Sequence, residues 1–125
     1  MRTAVLLALI VLFPVFVHAA DAPTLVTYTI SHDTIYPTAT AESGLATTTA
    51  IDIAFSEQVK VSIKILSASG TLIKSLYTSP SVTNPTPKIW DGASAALGTY
   101  TVLISATSTA SGVVMTDSSR TITIA

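Results

Sequence analysis

From Leu25 onward, large apolar residues recur with a period near two, and the runs are interrupted by Gly, Pro, Ser and Asp. Successive side chains of a strand point to opposite faces, so this alternation predicts strands with one buried face, and the interruptions predict the turns between them. The clearest run is Val59, Val61, Ile63 and Ile65, with Lys60, Ser62 and Lys64 between them. Ile51, Ile53 and Phe55 alternate with Asp52, Ala54 and Ser56, and Tyr100, Val102, Ile104 and Ala106 make a third run. Leu25 to Ile30 predicts a first strand and Val113 to Ile124 the last one or two. Ser67-Ala68-Ser69-Gly70 reads as a tight turn, because Gly70 takes a positive φ without steric penalty, and Thr71 to Tyr77 returns as the partner strand of a hairpin.

Two segments read differently. Ser31 to Thr48 is polar and holds Pro37 and Gly44, which predicts a long excursion with little regular structure. Ser79 to Pro87 carries Pro80, Pro85 and Pro87, none of which has an N–H to give a ladder, so an edge or a loop is expected there. The pattern as a whole predicts an all-β fold, an antiparallel β-sandwich of about seven strands.

Composition sharpens that reading. Charged residues make up 10% of the chain, against about 25% in an average soluble domain. Ser and Thr take their place, in tracts such as Thr47-Thr48-Thr49, Thr99-Tyr100-Thr101 and Thr121-Ile122-Thr123, and Thr's β-branched side chain favours strands. The 125 residues suit one domain plus a short extra segment. That segment is at the start. Met1-Arg2-Thr3 is positive, Ala4 to Val17 is apolar, and Val17-His18-Ala19 has the small-residue pattern of a cleavage site. Residues 1–20 therefore read as a signal peptide, too short in its apolar run for the ~20 residues that span a bilayer, and 21–125 as the exported domain. A secreted, periplasmic or cell-surface location is expected, with no stable membrane insertion after cleavage.

The formal net charge of -1 and the dispersion of Lys60, Lys64, Lys74, Lys88 and Arg120 argue against nucleic acid as a partner. Cysteine is absent, which removes disulfides and thiolate metal sites. His32 is the one histidine beyond the leader, and Asp33 beside it projects to the opposite side of an extended segment, a poor dyad. Asp21, Asp33, Glu42, Asp52, Glu57, Asp91 and Asp117 are well separated. The expectation is a non-enzymatic protein with no catalytic residues, no metal site and no cofactor.

Several pieces of the chain carry a family likeness: Val59-Lys60-Val61-Ser62-Ile63-Lys64-Ile65 leading to Gly70, then Ile89-Trp90-Asp91-Gly92, then Leu97-Gly98-Thr99-Tyr100-Thr101-Val102, with Tyr36-Pro37 upstream. Together they resemble the immunoglobulin-like domain of the flagellar hook-capping protein FlgD, a domain type found in many exported bacterial proteins, over roughly Leu25 to Ile124. The resemblance implies an immunoglobulin-like sandwich and a scaffolding role. Trp90, the one tryptophan, is expected to plug the core on the Val61 and Ile63 side, and Asp91-Gly92 to form a turn. The expected function is protein contact, or self-association, through a sheet edge near Thr71 to Tyr77 or the opposite edge by the Pro-rich link. The alternative is a carbohydrate-binding module, which requires Tyr28, Tyr36 and Tyr77 to form an exposed row.

Overall fold

The computed structural model describes residues 21–125, so the signal peptide read over residues 1–20 lies outside the described residues. Eight strands follow one another: β1 (Leu25–Ile30), β2 (Thr34–Ile35), β3 (Thr49–Phe55), β4 (Val59–Leu66), β5 (Leu72–Val82), β6 (Lys88–Trp90), β7 (Gly98–Ser108) and β8 (Val114–Ile124). A three-stranded sheet in the order β1-β3-β6 packs on a five-stranded sheet in the order β2-β8-β7-β4-β5. The first, second and fifth strands of an immunoglobulin-like fold correspond to β1, β3 and β6, and the opposing sheet is built around β4, β7 and β8. The all-β immunoglobulin-like sandwich is thus the fold, with eight strands where about seven were expected.

The alternating residues do what their spacing predicts. Val59, Val61, Ile63 and Ile65 on β4 face Ile51, Ile53 and Phe55 on β3 across the core, joined by Val102, Ile104 and Ala106 of β7. Each is at most 2% exposed. Burying such side chains contributes about 1.5–3 kcal/mol apiece, and this term holds together a domain that has no disulfide.

Three sequence expectations need correction. The sandwich is not purely antiparallel, because β2 runs parallel to β8 through Thr34↔Thr123 and Ile35↔Ile124. That ladder lies inside the segment expected to be irregular, and it buries Ile35 completely; two residues are too few to register as a period. The return strand of the hairpin does not stop at Tyr77 but runs on as β5 to Val82, taking in Ser79 and Pro80 from the expected link. Pro80 is tolerated because β5 is an edge strand, and its ladder with β4 is already irregular at Val59/Val61, Ile63/Lys64 and Ile65/Leu66. Lys88–Trp90, between the expected link and the expected turn, is a short strand paired with β3 through Thr49↔Trp90 and Ile51↔Lys88.

The two poles of the sandwich are locked differently. At one, Trp90 meets Tyr100 edge to face with ring centroids 5.5 Å apart. Tyr100 opens β7, and its hydroxyl donates to the Ala96 carbonyl at 2.6 Å. This is the tyrosine corner of immunoglobulin-like folds, a hydroxyl bond from the start of the sixth strand back to the preceding turn. Trp90 is 2% exposed, so its expected place in the core holds, but its aromatic partner is Tyr100, well along β7 from Ala106, the residue paired with Val61. Gly92 is wedged here too, at φ +67, against Ile124, Pro37 and Ile35. At the other pole Ser108, 2% exposed, donates to the Glu57 carboxylate and accepts from the N–H groups of Ala110 and Ser111 at 3.2 and 3.1 Å. It ties the β3–β4 turn to the β7–β8 turn, a role its sequence context does not disclose.

Candidate functional site

Each lateral seam of the sandwich is closed by a cation over an aromatic ring. On the β1/β8 side the Arg120 guanidinium lies 4.4 Å from the Tyr28 ring centroid. On the β5/β6 side the Lys88 ammonium lies 4.1 Å from the Tyr77 ring centroid. Both tyrosines sit in register with inward positions, Tyr28 with Ile53 and Tyr77 with Ile63, so their rings turn toward the gap between the sheets. Tyr36 lies in the loop after β2, half-buried, its N–H donating to the Ala46 carbonyl at 2.7 Å. The three tyrosines expected to line a glycan platform are therefore not brought together: two stand on opposite flanks and the third near one pole.

The β1/β8 seam is the more polar. A cavity of about 370 Å³ there is lined by Ile30, Asp33, Ser119, Arg120 and Thr121. Asp117 accepts from the Ser119 N–H and hydroxyl at 3.0 and 2.7 Å, which holds its carboxyl below the usual range. Tyr28 Oη is buried without a hydrogen-bond partner among the described residues. Burial first, and the Asp117 charge second, push this phenol up to about 12, against the opposing pull of Arg120.

The sign follows from the proton. A raised phenol pKa means the fold favours neutral Tyr28, so that contribution is whole below pH ~10 and is lost as pH rises from ~10 through about 12. Phenolate absorbance during an alkaline titration is expected to include a late step near pH 12 that disappears in Tyr28→Phe, a variant that retains stability because the hydroxyl it removes has no partner. A titration unchanged by that substitution contradicts the assignment.

His32 and Asp33 do not form a dyad. The His32 Nδ1 is 3.2 Å from Ser31 Oγ, and its backbone N–H donates to Thr49 Oγ1 at 3.0 Å. Asp33 instead gives its carbonyl to the Thr123 N–H at 2.8 Å and lines the seam cavity. Among the described residues no group of three His, Cys, Asp or Glu side chains is placed to hold a metal ion, and no helix is long and apolar enough to cross a membrane.

Two other surfaces have a definite shape. The first is the edge strand β5, eleven residues long, where Leu72 is 52% and Ile73 is 40% exposed. Its far half is guarded by Pro80, which leaves Leu72 to Tyr77 as the stretch able to accept a neighbour. The expected second edge, by the Pro-rich link, is not opposite to it. The link runs from the end of β5 to β6, and β5 and β6 flank the same seam. The second surface is the outer face of the five-stranded sheet, where a cavity of about 340 Å³ is lined by Lys60, Val61, Ser62, Thr78, Ser79, Pro80, Ser105 and Thr107.

No protein-family model matches the chain, and no curated protein sequence matches it. Among solved structures, CopC from Methylosinus trichosporium OB3b is similar with a TM-score of 0.48 and 18% identity, over 82% of this chain and 92% of that one.

Proposed function

We propose that the chain is an exported, non-enzymatic immunoglobulin-like module that acts by protein contact through an open sheet edge, in a scaffolding role of the kind its FlgD-like residues imply. One observation carries the reading: the long edge strand β5 leaves Leu72 and Ile73 exposed while Tyr28 and Tyr77 turn into the seams. Unpaired N–H and C=O groups on such an edge are a template for another strand, and exposed apolar side chains beside them add contact area. The leader pattern over residues 1–20 supports export to an envelope or surface location.

The test is a charge on the edge. Ile73→Lys changes a side chain that is already part-exposed, so the fold is expected to survive, as circular dichroism will report. Self-association followed by sedimentation, and recovery of a stoichiometric envelope partner, are expected with the unaltered chain and lost with the variant. Val26→Lys on β1, 61% exposed at the other flank, is the matched control and is expected to leave both intact. If Ile73→Lys alters neither, the edge reading fails.

A further inference from the structure

The outer face of the five-stranded sheet has a charge and hydroxyl pattern that the edge contact does not use. Strand β4, between β7 and the edge strand β5, turns Lys60, Ser62 and Lys64 outward while the residues between them fill the core. The register extends Ser62 into a row across four strands: Thr78, Ser62, Ser105 and Thr116. With neighbouring strands ~4.8 Å apart, the row is about 14 Å long. Lys60 and Lys64 stand on either side of it, each about 7 Å along β4 from Ser62. The ladder partners of these lysines on β7 are Thr107 and Leu103, neither of them acidic.

The carboxylates are elsewhere. Asp52 pairs with Thr29 in the other sheet, Asp117 is in register with inward-facing Ile104, Glu57 is bound to Ser108, and Asp33 and Asp91 lie outside the strands. A chain of formal charge -1 therefore presents one face with two cations and no acid among its registered strand positions. Nor are the row's hydroxyls already engaged. Ser79 bonds to Ser81 and Thr99 contacts Thr123, but among the described residues no protein group takes the side-chain hydroxyls of Ser62, Thr78, Ser105 or Thr116.

We propose that this face binds an acidic polysaccharide, Lys60 and Lys64 pairing with its carboxylates and the hydroxyl row between them hydrogen bonding to its sugar hydroxyls. The cavity beside the row is within the range of ligand sites and gives the chain a recess against Pro80. Charge decides the class of ligand. A neutral glycan would call for a stacking platform, and Tyr28 and Tyr77 are committed to the seams. A protein partner would call for aromatic anchors, and the row has none. Two lysines are too few to track a nucleic-acid backbone.

The probes are polygalacturonate, neutral dextran and polyglutamate, presented to the purified chain in affinity electrophoresis at low salt. Retardation by polygalacturonate and not by dextran is expected, declining as salt is added. Lys60→Gln with Lys64→Gln is expected to weaken it roughly five- to tenfold, while Val26→Glu with Leu97→Glu, which lowers the net charge by the same two units at exposed positions away from this face, changes it less than about twofold. Equal weakening by the two pairs makes the effect one of net charge and overturns the site. Equal retardation by polyglutamate overturns the polysaccharide assignment, and no retardation overturns the proposal outright. None of these outcomes depends on the β5 edge, so the two readings fail separately.

Discussion

Trp90→Ala is expected to cost about 3–5 kcal/mol, the largest single-residue effect in the domain. The indole is 2% exposed, the adjacent backbone is held in the β3–β6 ladder, and its edge-to-face partner Tyr100 is itself pinned by the hydroxyl bond to Ala96. With both flanking elements fixed, the pole has little freedom to collapse into the space, and the cavity adds to the lost transfer energy. A domain of this size has a total stability of about 5–15 kcal/mol, so the variant sits near the limit of folding. Urea midpoints followed by circular dichroism measure it, since the only tryptophan fluorophore is the one removed. Tyr100→Phe separates the ring from its hydroxyl. It keeps the contact and loses the corner bond, and is expected to cost only about 1–2 kcal/mol. A Trp90→Ala midpoint close to that of the unaltered chain contradicts burial of the ring.

Gly92→Ala is expected to follow, at roughly 2–4 kcal/mol, from two effects that add. The backbone is at φ +67, where a Cβ meets the following carbonyl at a cost of about 1–2 kcal/mol. The same Cβ would stand 2.6 Å from Ile124 Cδ1, 3.0 Å from Pro37 Cγ and 3.2 Å from Ile35 Cδ1, so the packed end of the core must move to admit it. Gly70→Ala isolates the first effect. Gly70 is at φ +89 with nothing within 4 Å of the added atom, so it pays only the conformational part. The difference between the two midpoints reads the packing at Gly92 directly, and equal losses contradict it.

These residues also explain the sequence motif. Tyr36-Pro37, Trp90-Asp91-Gly92 and Gly98-Thr99-Tyr100 are far apart along the chain, yet Pro37 touches Gly92 and Trp90 touches Tyr100 at one pole. Asp91 holds the turn by accepting from the Ala93 N–H at 2.9 Å. Their meeting at one pole has a packing cause, and it speaks to fold rather than to any reaction.

The sequence by itself determined the core. A strand's two-residue period is local, so the inward faces of β3, β4 and the middle of β7 could be read from Ile51, Val59, Ile63 and Ile104 without knowing what they pack against. Gly70 and Gly92 marked their turns for the same local reason. What lay beyond one sequence was set by partners. β2 is a strand only because β8 is beside it, and Ser79 to Val82 extends β5 only because β4 offers a ladder that tolerates Pro80. Tyr28 and Tyr77 turn toward the seams because they pair with inward-facing Ile53 and Ile63, and the cations that cover their rings, Arg120 and Lys88, come from other strands. The candidate face came from register alone. Lys60 and Lys64 were visible as dispersed charges, but that they flank a row of four hydroxyls drawn from four strands is fixed by pairing across the sheet, a long-range property that no local period encodes.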